Sequence, residues 1–262
     1  MKHYALIGEK LGHSMSVPIH SAIFRKLGID ADYRLVEIPK ATFADDVRAL
    51  MAQVDGFNIT IPYKQDVIPL LDGLDDYAAD IGAVNTVLTG AQNRGFNTDA
   101  PGFAAMLRLH GIDPADQPCY VLGTGGTSRA ICAALRRMGA QSVTRVSRTP
   151  REARDIDYAR LAEEFSGVLV NTTPAGMWPH DEGCPLDESI RESVLRRAKG
   201  VADVIYNPPE TVLTAAAKQL GVPACTGMTM LIAQAVEAEA IWQGHPMPDD
   251  LIPTLVKELK LL

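Results

Sequence analysis

The chain has 262 residues, of which 47% are hydrophobic and 22% charged. This composition is typical of globular proteins and excludes disorder and fibrous repeats; the length allows one large domain or two smaller ones, and we expect two. The formal net charge of -7 supplies no basic surface, so nucleic acid and anionic membranes are not expected as partners.

Cysteine usage and hydropathy indicate the compartment. The four cysteines form no C-x-x-C pair, and the amino terminus MKHYALIGEK has no signal-peptide pattern. No apolar run reaches the roughly 20 residues of a membrane span. The six histidines are dispersed without metal-ligand spacing. We therefore expect a protein of the reducing cytoplasm that does not enter the membrane and holds no metal.

Strand-like and helical patterns alternate over the first hundred residues, in the order HYALIG, VPIHSAIFRKLG, DYRLVEI, FADDVRALMA and VDGFNIT. This alternation predicts an α/β unit with a mainly parallel sheet. Pro62, which follows GFNIT, suits the first position of a helix, and that helix would place Lys64 in its first turn. The segment GFAAMLRLHGI begins the pattern again, and PADQPCY supplies the turn and proline signals of a boundary.

The second block contains a strand CYVLG, a glycine-rich turn, a helix TSRAICAALRRMG and a strand SVTRVS, with later strands at GVLVN and GVADVI. This order is typical of a dinucleotide-binding unit. The tail segments GMTMLIAQAVEAEAIW and DDLIPTLVKEL are helical patterns, and we expect them to pack back on the first domain.

The glycine-rich turn is the first candidate binding site. Gly123, Gly125 and Gly126 lie between a buried strand and an alanine-rich helix, with Thr127 and Ser128 directly after them. Glycines there allow a tight turn and the close approach of a pyrophosphate, whose charge is stabilised by the N–H groups at the start of the helix. Ser128 stands where the common motif has its third glycine. The alternative is a tight turn without a ligand.

The end of the second strand of this unit indicates which nicotinamide cofactor binds. NAD-binding units have an Asp or Glu there to bond the ribose hydroxyls. This chain instead has Ser147, Arg148 and Thr149. A guanidinium with two hydroxyls suits the 2'-phosphate of NADP, since arginine pairs with phosphate through parallel hydrogen bonds. A solvated arginine at a strand end is the alternative.

Four fragments of the first block carry polar residues where an α/β fold places its sheet-edge crevice. They are GHSMSVPIH, NITIPYK, GAVNT and GFNTD. Each alone is explained by loop chemistry, because Ser, Thr, Asn and Asp bond their own backbone in turns. Together they indicate a site.

These fragments, with the glycine turn and GMTMLIAQA, resemble the shikimate dehydrogenases, which reduce 3-dehydroshikimate to shikimate with NADPH. The resemblance runs nearly end to end. It implies that Ser14 and Ser16 bind the substrate carboxylate, that Lys64 is the catalytic acid/base, and that Asn85 and the second catalytic residue, Asp99, hold the ring hydroxyls. It further implies substrate contacts at Thr60, Tyr206 and Gln234 and cofactor contacts at Val204 and Gly227, of which Gly227 lies near the nicotinamide.

Two positions depart from the family pattern. The family has proline directly after the second serine, whereas Val17 intervenes here before Pro18. Its cofactor loop reads Asn-Arg-Thr, and Ser147 replaces the asparagine. Neither departure removes a residue that does chemistry.

Local chemistry supports part of this interpretation. A lysine in a closed cleft can donate a proton to an oxygen that gains negative charge and take it back in reverse. Gln234 shares an apolar helix stripe with Met230, Ala238 and Ile241, so its amide needs a partner, either a substrate hydroxyl or a backbone carbonyl. His13, beside the substrate motif, is interpreted as structural.

The sequence therefore predicts a two-domain α/β oxidoreductase whose domains face each other across a cleft. Residues 1–100, completed by the helices of 228–262, form the substrate domain, and residues 101–227 form a Rossmann-type NADP-binding domain. We expect a small-molecule substrate and a monomer or homodimer. The alternatives are a quinate-preferring enzyme of the same fold that uses NAD, a non-catalytic NADP-binding protein, and, third, a methyltransferase.

Overall fold

The computed structural model describes residues 1–12, 14–150, 152–153 and 155–259, so His13 lies outside the described residues. Contacts between Cα atoms divide the chain into two compact units. The first comprises Met1–Thr98 and Gln234–Leu262, and the second comprises Asp99–Ala233.

The first unit is built on a six-stranded mixed sheet. Its strands and helices are β1 (Lys2–Gly8), α1 (Ser16–Leu27), β2 (Ala31–Glu37), α2 (Phe43–Met51), β3 (Gly56–Ile59), β4 (Gly73–Leu74), α3 (Asp76–Ile81), β5 (Thr86–Leu88) and β6 (Arg94–Phe96). The spatial order is β2-β1-β3-β5-β6-β4. Strands β1, β2 and β3 are parallel, whereas β5 is antiparallel to both β3 and β6.

Strand β1 is covered on both faces of the sheet, which explains its continuous apolar run. Ala5 and Ile7 belong to a core with the apolar residues of α2. Tyr4 and Leu6 point to the other face, where they pack with Trp242. The alternation follows from the two-residue period of a strand.

The second unit is built on a parallel five-stranded sheet. Its elements are α4 (Asp99–Leu109), β7 (Pro118–Leu122), α5 (Gly126–Arg137), β8 (Ser142–Val146), α6 (Tyr158–Glu164), β9 (Gly167–Asn171), α7 (Glu188–Leu195), β10 (Ala198–Asp203), α8 (Val212–Gln219) and β11 (Ala224–Cys225). The order is β11-β10-β9-β7-β8. The chain leaves β7 toward β8 and later returns to β9 on the opposite side. Ligands of open α/β sheets bind at such a reversal, outside the carboxyl ends of the strands.

Two helices end the chain: α9 (Met228–Gln243) and α10 (Leu251–Leu259). The boundary between the units falls within α9. In the first unit Trp242 of α9 donates a hydrogen bond from Nε1 to the carbonyl of Val87 at 2.9 Å. Lys26 of α1 pairs with Glu258 of α10 at 2.8 Å. Both tail segments are helical, as predicted.

The predicted helix starting at Pro62 is wrong. Residues 61–67 form consecutive turns, and a short 3-10 helix, Ile68–Leu70, follows. The carbonyl of Lys64 accepts a hydrogen bond from the N–H of Val84 at 2.8 Å. This partner is distant in the sequence, so a prediction based on local pattern could not include it.

Candidate active site

One edge of the first unit's sheet collects the polar motifs of the sequence. Ser16 follows the carboxyl end of β1, and Lys64 follows that of the neighbouring parallel strand β3. Asn85 precedes β5, which is antiparallel to β3, and its carbonyl accepts the N–H of Ile59 at 2.9 Å. Thr98 follows β6, whose carboxyl end lies beside the amino end of β5. The fold therefore brings four separate motifs to the same edge.

The two serines meet at the start of α1. The Ser14 hydroxyl donates to Oγ of Ser16 at 3.2 Å, and the Ser16 N–H donates to Oγ of Ser14 at 3.2 Å. Val17 packs against the neighbouring apolar core, and Pro18 lies in the first turn, where proline is tolerated. The extra residue before the proline thus fits within the helix. First-turn N–H groups and hydroxyls together suit an anion such as a carboxylate.

The backbone at Lys64 is fixed by the residue before it. Tyr63 is completely buried, its ring is 4.2 Å from that of Phe43, and its hydroxyl donates to the carbonyl of Ile38 at 2.6 Å. Burial raises the pKa of Tyr63, so this hydroxyl remains a donor. Together with the bond from Val84, these contacts place Lys64, itself half-buried, at the end of β3.

The amide of Asn85 is held in one orientation. Its Oδ1 accepts the Thr98 N–H at 2.7 Å and the Thr86 hydroxyl at 3.1 Å, and its Nδ2 donates to Oγ1 of Thr98 at 3.1 Å. A backbone N–H only donates, so the atom facing it is the amide oxygen. Asp99 comes directly after Thr98, is buried, and is the first residue of α4.

Thr60 is positioned by a backbone hydrogen bond, and Gln234 lies among apolar residues of a helix. The Thr60 N–H donates to the carbonyl of Ile7 at 3.0 Å, which ties the residue to β1. Gln234 is half-buried on α9, and Met230 and Ala238, one turn before and after it, are buried. Its amide thus lies on an apolar stripe, as the spacing predicted.

The second unit carries the glycine turn at its strand-order reversal. Gly123 has a φ of 106°, and its N–H donates to the carbonyl of Val146 at 2.8 Å. A Cβ at this position would lie 2.8 Å from Oγ1 of Thr172. Both the positive φ and the close approach require glycine.

The start of α5 faces open space. Gly125 is the N-cap and Gly126 the first helical residue, and a Cβ added to either would meet no atom within 4 Å. Ser128 is completely buried and donates to the Gly125 carbonyl at 2.6 Å, so this replacement for the third glycine stabilises the turn. Thr127, which lies between Gly126 and Ser128, is half-buried. The helix dipole and first-turn N–H groups make this end suitable for a phosphate.

Strand β8 ends in a tight turn that exposes Arg148. The Ser147 hydroxyl donates to the Thr149 carbonyl, and the Thr149 N–H donates back to Ser147 Oγ, both at 3.2 Å. Arg148 is exposed. Burial raises the pKa of Tyr158, and the Arg148 charge opposes that rise.

An ion cluster that sequence reasoning missed closes the loop after β8. Arg145 contacts Oδ1 of Asp155 at 2.9 Å from Nε and 2.8 Å from Nη2, and Nη2 contacts Oε2 of Glu152 at 2.6 Å. The hydrogen bond to Glu152 is the main reason that the pKa of Arg145 is raised. The arginine and the two carboxylates are close in sequence, but their charges give no indication of which pairs form.

A buried carboxylate, also missed, fixes the segment after β10. Asp203 is fully buried; Oδ1 accepts Nδ2 of Asn171 at 3.0 Å and the N–H of Ile205 at 3.0 Å, and Oδ2 accepts the Thr211 hydroxyl at 2.9 Å. Burial raises the pKa of Asp203 to about 6, against the lowering effect of these donors. The segment that Asp203 anchors carries two predicted site residues, Val204 and Tyr206.

Two of the predicted cofactor residues are in contact. The Gly227 N–H donates to the carbonyl of Ile205 at 2.8 Å, and a Cβ at Gly227 would lie 2.1 Å from the Val204 carbonyl oxygen. Tyr206, the next residue along, is half-buried. Glycine at 227 is therefore required by the close approach of two backbones.

Among the residues that the structure describes, no three His, Cys, Asp or Glu side chains are grouped to hold a metal ion. No helix within the described ranges is long and apolar enough to span a membrane.

Known proteins resemble this chain over nearly its full length. Residues 6–87 match the family model described as the shikimate dehydrogenase substrate binding domain. A shikimate dehydrogenase (NADP(+)) of Clostridium beijerinckii is 38% identical over 261 residues, which cover 96% of this chain and 95% of the relative.

Solved structures give the same family. A chorismate mutase/shikimate 5-dehydrogenase fusion protein from Clostridium acetobutylicum has a TM-score of 0.94 at 35% identity, covering 99% of this chain and 97% of its own. The Thermus thermophilus shikimate 5-dehydrogenase in complex with NADP(H) and shikimate has a TM-score of 0.87 at 30% identity, covering 98% and 99%. A quinate dehydrogenase from Corynebacterium glutamicum in complex with NAD also has a TM-score of 0.87, at 29% identity, covering 100% and 99%.

Proposed function

The chain belongs to the shikimate dehydrogenase family, and from this premise we propose that it catalyses the reversible NADPH-dependent reduction of 3-dehydroshikimate to shikimate. This oxidoreductase reaction serves aromatic amino acid biosynthesis. The observation that carries the proposal is the single sheet edge to which Ser16, Lys64, Asn85 and Thr98 are brought. A carboxylate, a ketone and ring hydroxyls need that combination of hydroxyl, ammonium and amide groups.

The second unit fits NADP by its own geometry. The N–H groups at the start of α5, with Gly123, Gly125, Gly126 and Thr127, would hold the pyrophosphate, because the glycines leave open space there. The exposed Arg148, with the hydroxyls of Ser147 and Thr149, would hold the 2'-phosphate. Val204 and Gly227 would contact the nicotinamide side. When bound, the nicotinamide supplies a hydride to the ketone carbon and takes it back in the reverse direction.

The chain's own residues transfer the proton and orient the substrate. Lys64 donates a proton to the ketone oxygen as that oxygen gains negative charge, and removes it from the alcohol in the reverse reaction. Asp99 and Asn85 hold the ring hydroxyls, and the Asn85 amide is already oriented for this by Thr98 and Thr86.

The remaining substrate residues bind and position. Ser14 and Ser16 bind the carboxylate through hydroxyls that share a hydrogen bond. Thr60, Tyr206 and Gln234 complete the substrate contacts. Their contribution is to fix the ketone carbon relative to the hydride donor, since positioning supplies a large part of such a rate.

A quinate dehydrogenase that uses NAD is the second candidate function, because one such protein is as similar in structure as the shikimate enzyme with NADP(H). Arg148 favours NADP: a guanidinium stands where an NAD site has a carboxylate. A non-catalytic NADP-binding protein would have no need of an acid/base lysine.

We further propose a cytoplasmic monomer or homodimer. All four cysteines are free thiols, which suits a reducing compartment. Light scattering of the purified protein measures the mass, and a larger assembly would contradict this part of the proposal.

The direct test supplies NADPH and 3-dehydroshikimate to the purified protein and follows the loss of reduced-nicotinamide absorbance. We expect turnover, with shikimate identified by chromatography as the product. Binding of NADPH without turnover would instead support the non-catalytic alternative.

A further inference from the structure

The last residues of two neighbouring strands in the second unit are joined by their side chains. Asn171 ends β9 and Asp203 ends β10, and the two residues are partners in the parallel register. Nδ2 of Asn171 donates to Oδ1 of Asp203 at 3.0 Å, and both residues are completely buried. This polar pair lies at the carboxyl ends of the strands, the edge at which ligands of open α/β sheets bind.

The Asn171 amide is held in one orientation. Its Oδ1 accepts the N–H of Thr173 at 2.9 Å and the Thr173 hydroxyl at 2.7 Å. A backbone N–H only donates, so the amide oxygen faces Thr173 and the amide nitrogen faces Asp203. One side chain therefore holds the loop after β9 (residues 172–178) and, at the same time, the carboxylate at the end of β10.

The carboxylate in turn holds the segment after β10 (residues 204–211). Oδ1 of Asp203 accepts the N–H of Ile205 at 3.0 Å, and Oδ2 accepts the Thr211 hydroxyl at 2.9 Å. The backbone adds a further bond, because the N–H of Val204 donates to the Asn171 carbonyl at 3.1 Å. The residue assigned above to the nicotinamide side, Val204, is thus placed by Asn171 and Asp203 together.

The same segment has two more backbone contacts. The N–H of Trp178 donates to the Asn207 carbonyl at 3.1 Å, which joins the loop after β9 to the segment a second time. The Ile205 carbonyl accepts the Gly227 N–H at 2.8 Å. A displacement of the strand ends would therefore reach both residues assigned to the nicotinamide side, Val204 and Gly227.

The glycine turn is held by bonds that do not involve the Asn171 amide. The N–H and the hydroxyl of Thr172 both donate to the Leu122 carbonyl, at 2.9 Å and 2.7 Å. Leu122 ends β7, and Gly123 follows it directly. These bonds remain when the amide is removed, so the position of the phosphate-binding turn does not depend on it.

We propose that Asn171 is a positioning residue for the nicotinamide half of NADP, which acts through Asp203 on the segment after β10 and leaves the adenosine half of the site unaffected. This inference rests on the proposed function, since the cofactor and its contacts are assigned there. Because Asn171 is completely buried, it acts through its hydrogen-bond partners and not by touching the cofactor.

Two ligands separate the two halves of the cofactor site. NADP occupies both halves, whereas adenosine 2',5'-bisphosphate carries the phosphates of the adenosine side and no nicotinamide. Isothermal titration calorimetry measures the Kd of each ligand for wild type and Asn171→Ala. We expect the Kd for NADP to rise about three-fold to ten-fold, the worth of one net hydrogen bond, while the Kd for the bisphosphate stays within two-fold of wild type.

The chain offers a matched control at the opposite end of β10. Arg197, directly before this strand, is half-buried and donates from Nη1 to the Glu163 carbonyl at 3.1 Å and from Nη2 to the Ala162 carbonyl at 2.5 Å. Arg197→Met removes side-chain bonds to the backbone of the same unit, away from the carboxyl edge. Thermal unfolding measures the stability of every variant, and Arg197→Met should leave both Kd values within two-fold of wild type.

Two conservative variants test the link itself. Asn171→Ser keeps a polar atom but is too short to bond Asp203 directly, and it should show the same difference between the two ligands if the alanine variant does not fold. Asp203→Asn keeps an acceptor for the Asn171 amide and should bind NADP within about two-fold of wild type. A loss in Asp203→Asn equal to that in Asn171→Ala would contradict action through this hydrogen bond.

The outcomes distinguish this inference from the proposed function. Equal losses for NADP and the bisphosphate in the Asn171 variants would show general loosening of the unit and overturn the inference. Unchanged affinity for both ligands would overturn it as well, whatever the stability of the variants. A wild type that does not bind NADP would overturn the proposed function and this inference together, whereas a wild type that binds NADP without turnover would overturn the proposed reaction alone.

Discussion

Lys64 owes its position to contacts on both sides of it in the chain. Tyr63 is anchored by the Ile38 carbonyl, and the Lys64 carbonyl accepts the Val84 N–H. These contacts fix the backbone of Lys64 at the edge of the sheet. Such a lysine can act on a substrate because its Cα does not need to be ordered on binding.

The first prediction concerns this lysine. Lys64→Ala should lower kcat about 100-fold to 10,000-fold, the usual contribution of a general acid, with a much smaller change in the affinity for shikimate. Steady-state kinetics and shikimate titration measure the two effects. Lys40→Ala, at an exposed lysine of the same unit, is the control and should behave as wild type. If Lys64→Ala kept more than half of the wild-type kcat, the acid/base role would be wrong.

Arg148 should decide which cofactor is used. Arg148→Leu removes the charge expected to meet the 2'-phosphate, so KM for NADP should rise about ten-fold to a hundred-fold while KM for NAD stays nearly constant. Arg160→Leu is the control, because Arg160 is an exposed arginine of the same unit that pairs with Glu164. Equal losses for both cofactors would contradict the phosphate role.

Residues with a recognisable local pattern could be predicted from the sequence, and residues defined by distant partners could not. Gly123 stands between a strand and a helix, so its turn was evident. The Tyr33 hydroxyl donates a hydrogen bond to Asn58, 25 residues away, and the Asn171 amide donates one to Asp203 across 32 residues. Each bond joins two strands of a sheet, and the pairing register of those strands cannot be predicted from short sequence segments.

Among the elements, the segment after β10 depends on one carboxylate. Burial raises the pKa of Asp203 from 3.8 to about 6, so the folded state keeps this proton at pH values where the unfolded chain has lost it. This group therefore stabilises the fold less as pH rises from about 4 to about 6. The thiols of Cys184 and Cys225, which feel its charge, have pKa values raised mainly by burial and do not titrate there.

The third prediction follows from the direction of this pH dependence of stability. Asp203→Asn should remove a stability loss on the order of 3 kcal/mol that wild type shows between about pH 4 and pH 6. An asparagine can still accept through Oδ1 and donate to the Thr211 hydroxyl, so the segment should stay in place. Denaturant unfolding at several pH values measures the difference between the two proteins. Parallel pH profiles would show that Asp203 does not titrate in this range.

Gly227 allows two backbones to approach each other where α9 begins. Gly227→Ala would place a Cβ 2.1 Å from the Val204 carbonyl oxygen, so we expect a loss of about 1–3 kcal/mol in unfolding free energy and weaker NADP binding. Gly73→Ala, where a Cβ meets nothing within 4 Å, is the control and should change stability by less than about 0.5 kcal/mol. A stable Gly227→Ala protein with normal NADP affinity would contradict this account.

Element prediction succeeded where the apolar pattern was strong and failed where tertiary bonds replaced local ones. Strands β7, β8 and β9 and helix α5 were all predicted, because apolar runs and glycines mark their ends. The helix expected at Pro62 was not found, because Lys64 bonds to Val84 instead of completing a helical turn. The antiparallel pair β5 and β6 was not predicted, since three-residue strands carry little periodic signal.

At the scale of the whole molecule, the chain consists of two α/β units whose separate features support one reaction. The first collects Ser16, Lys64, Asn85 and Thr98 at one sheet edge, and the second has a glycine turn and an exposed arginine at its strand-order reversal. Structural similarity alone does not distinguish the two candidate reactions, because the shikimate enzyme with NADP(H) and the quinate enzyme with NAD have equal TM-scores of 0.87.

The most direct measurement is therefore the wild-type kcat/KM for shikimate and for quinate, each with NADP and with NAD, followed by nicotinamide absorbance. We predict the highest value for shikimate with NADP, and at least about ten-fold less when NAD replaces NADP, the worth of one charge-assisted bond to the 2'-phosphate. A highest value for quinate with NAD would contradict the account and establish the second candidate function.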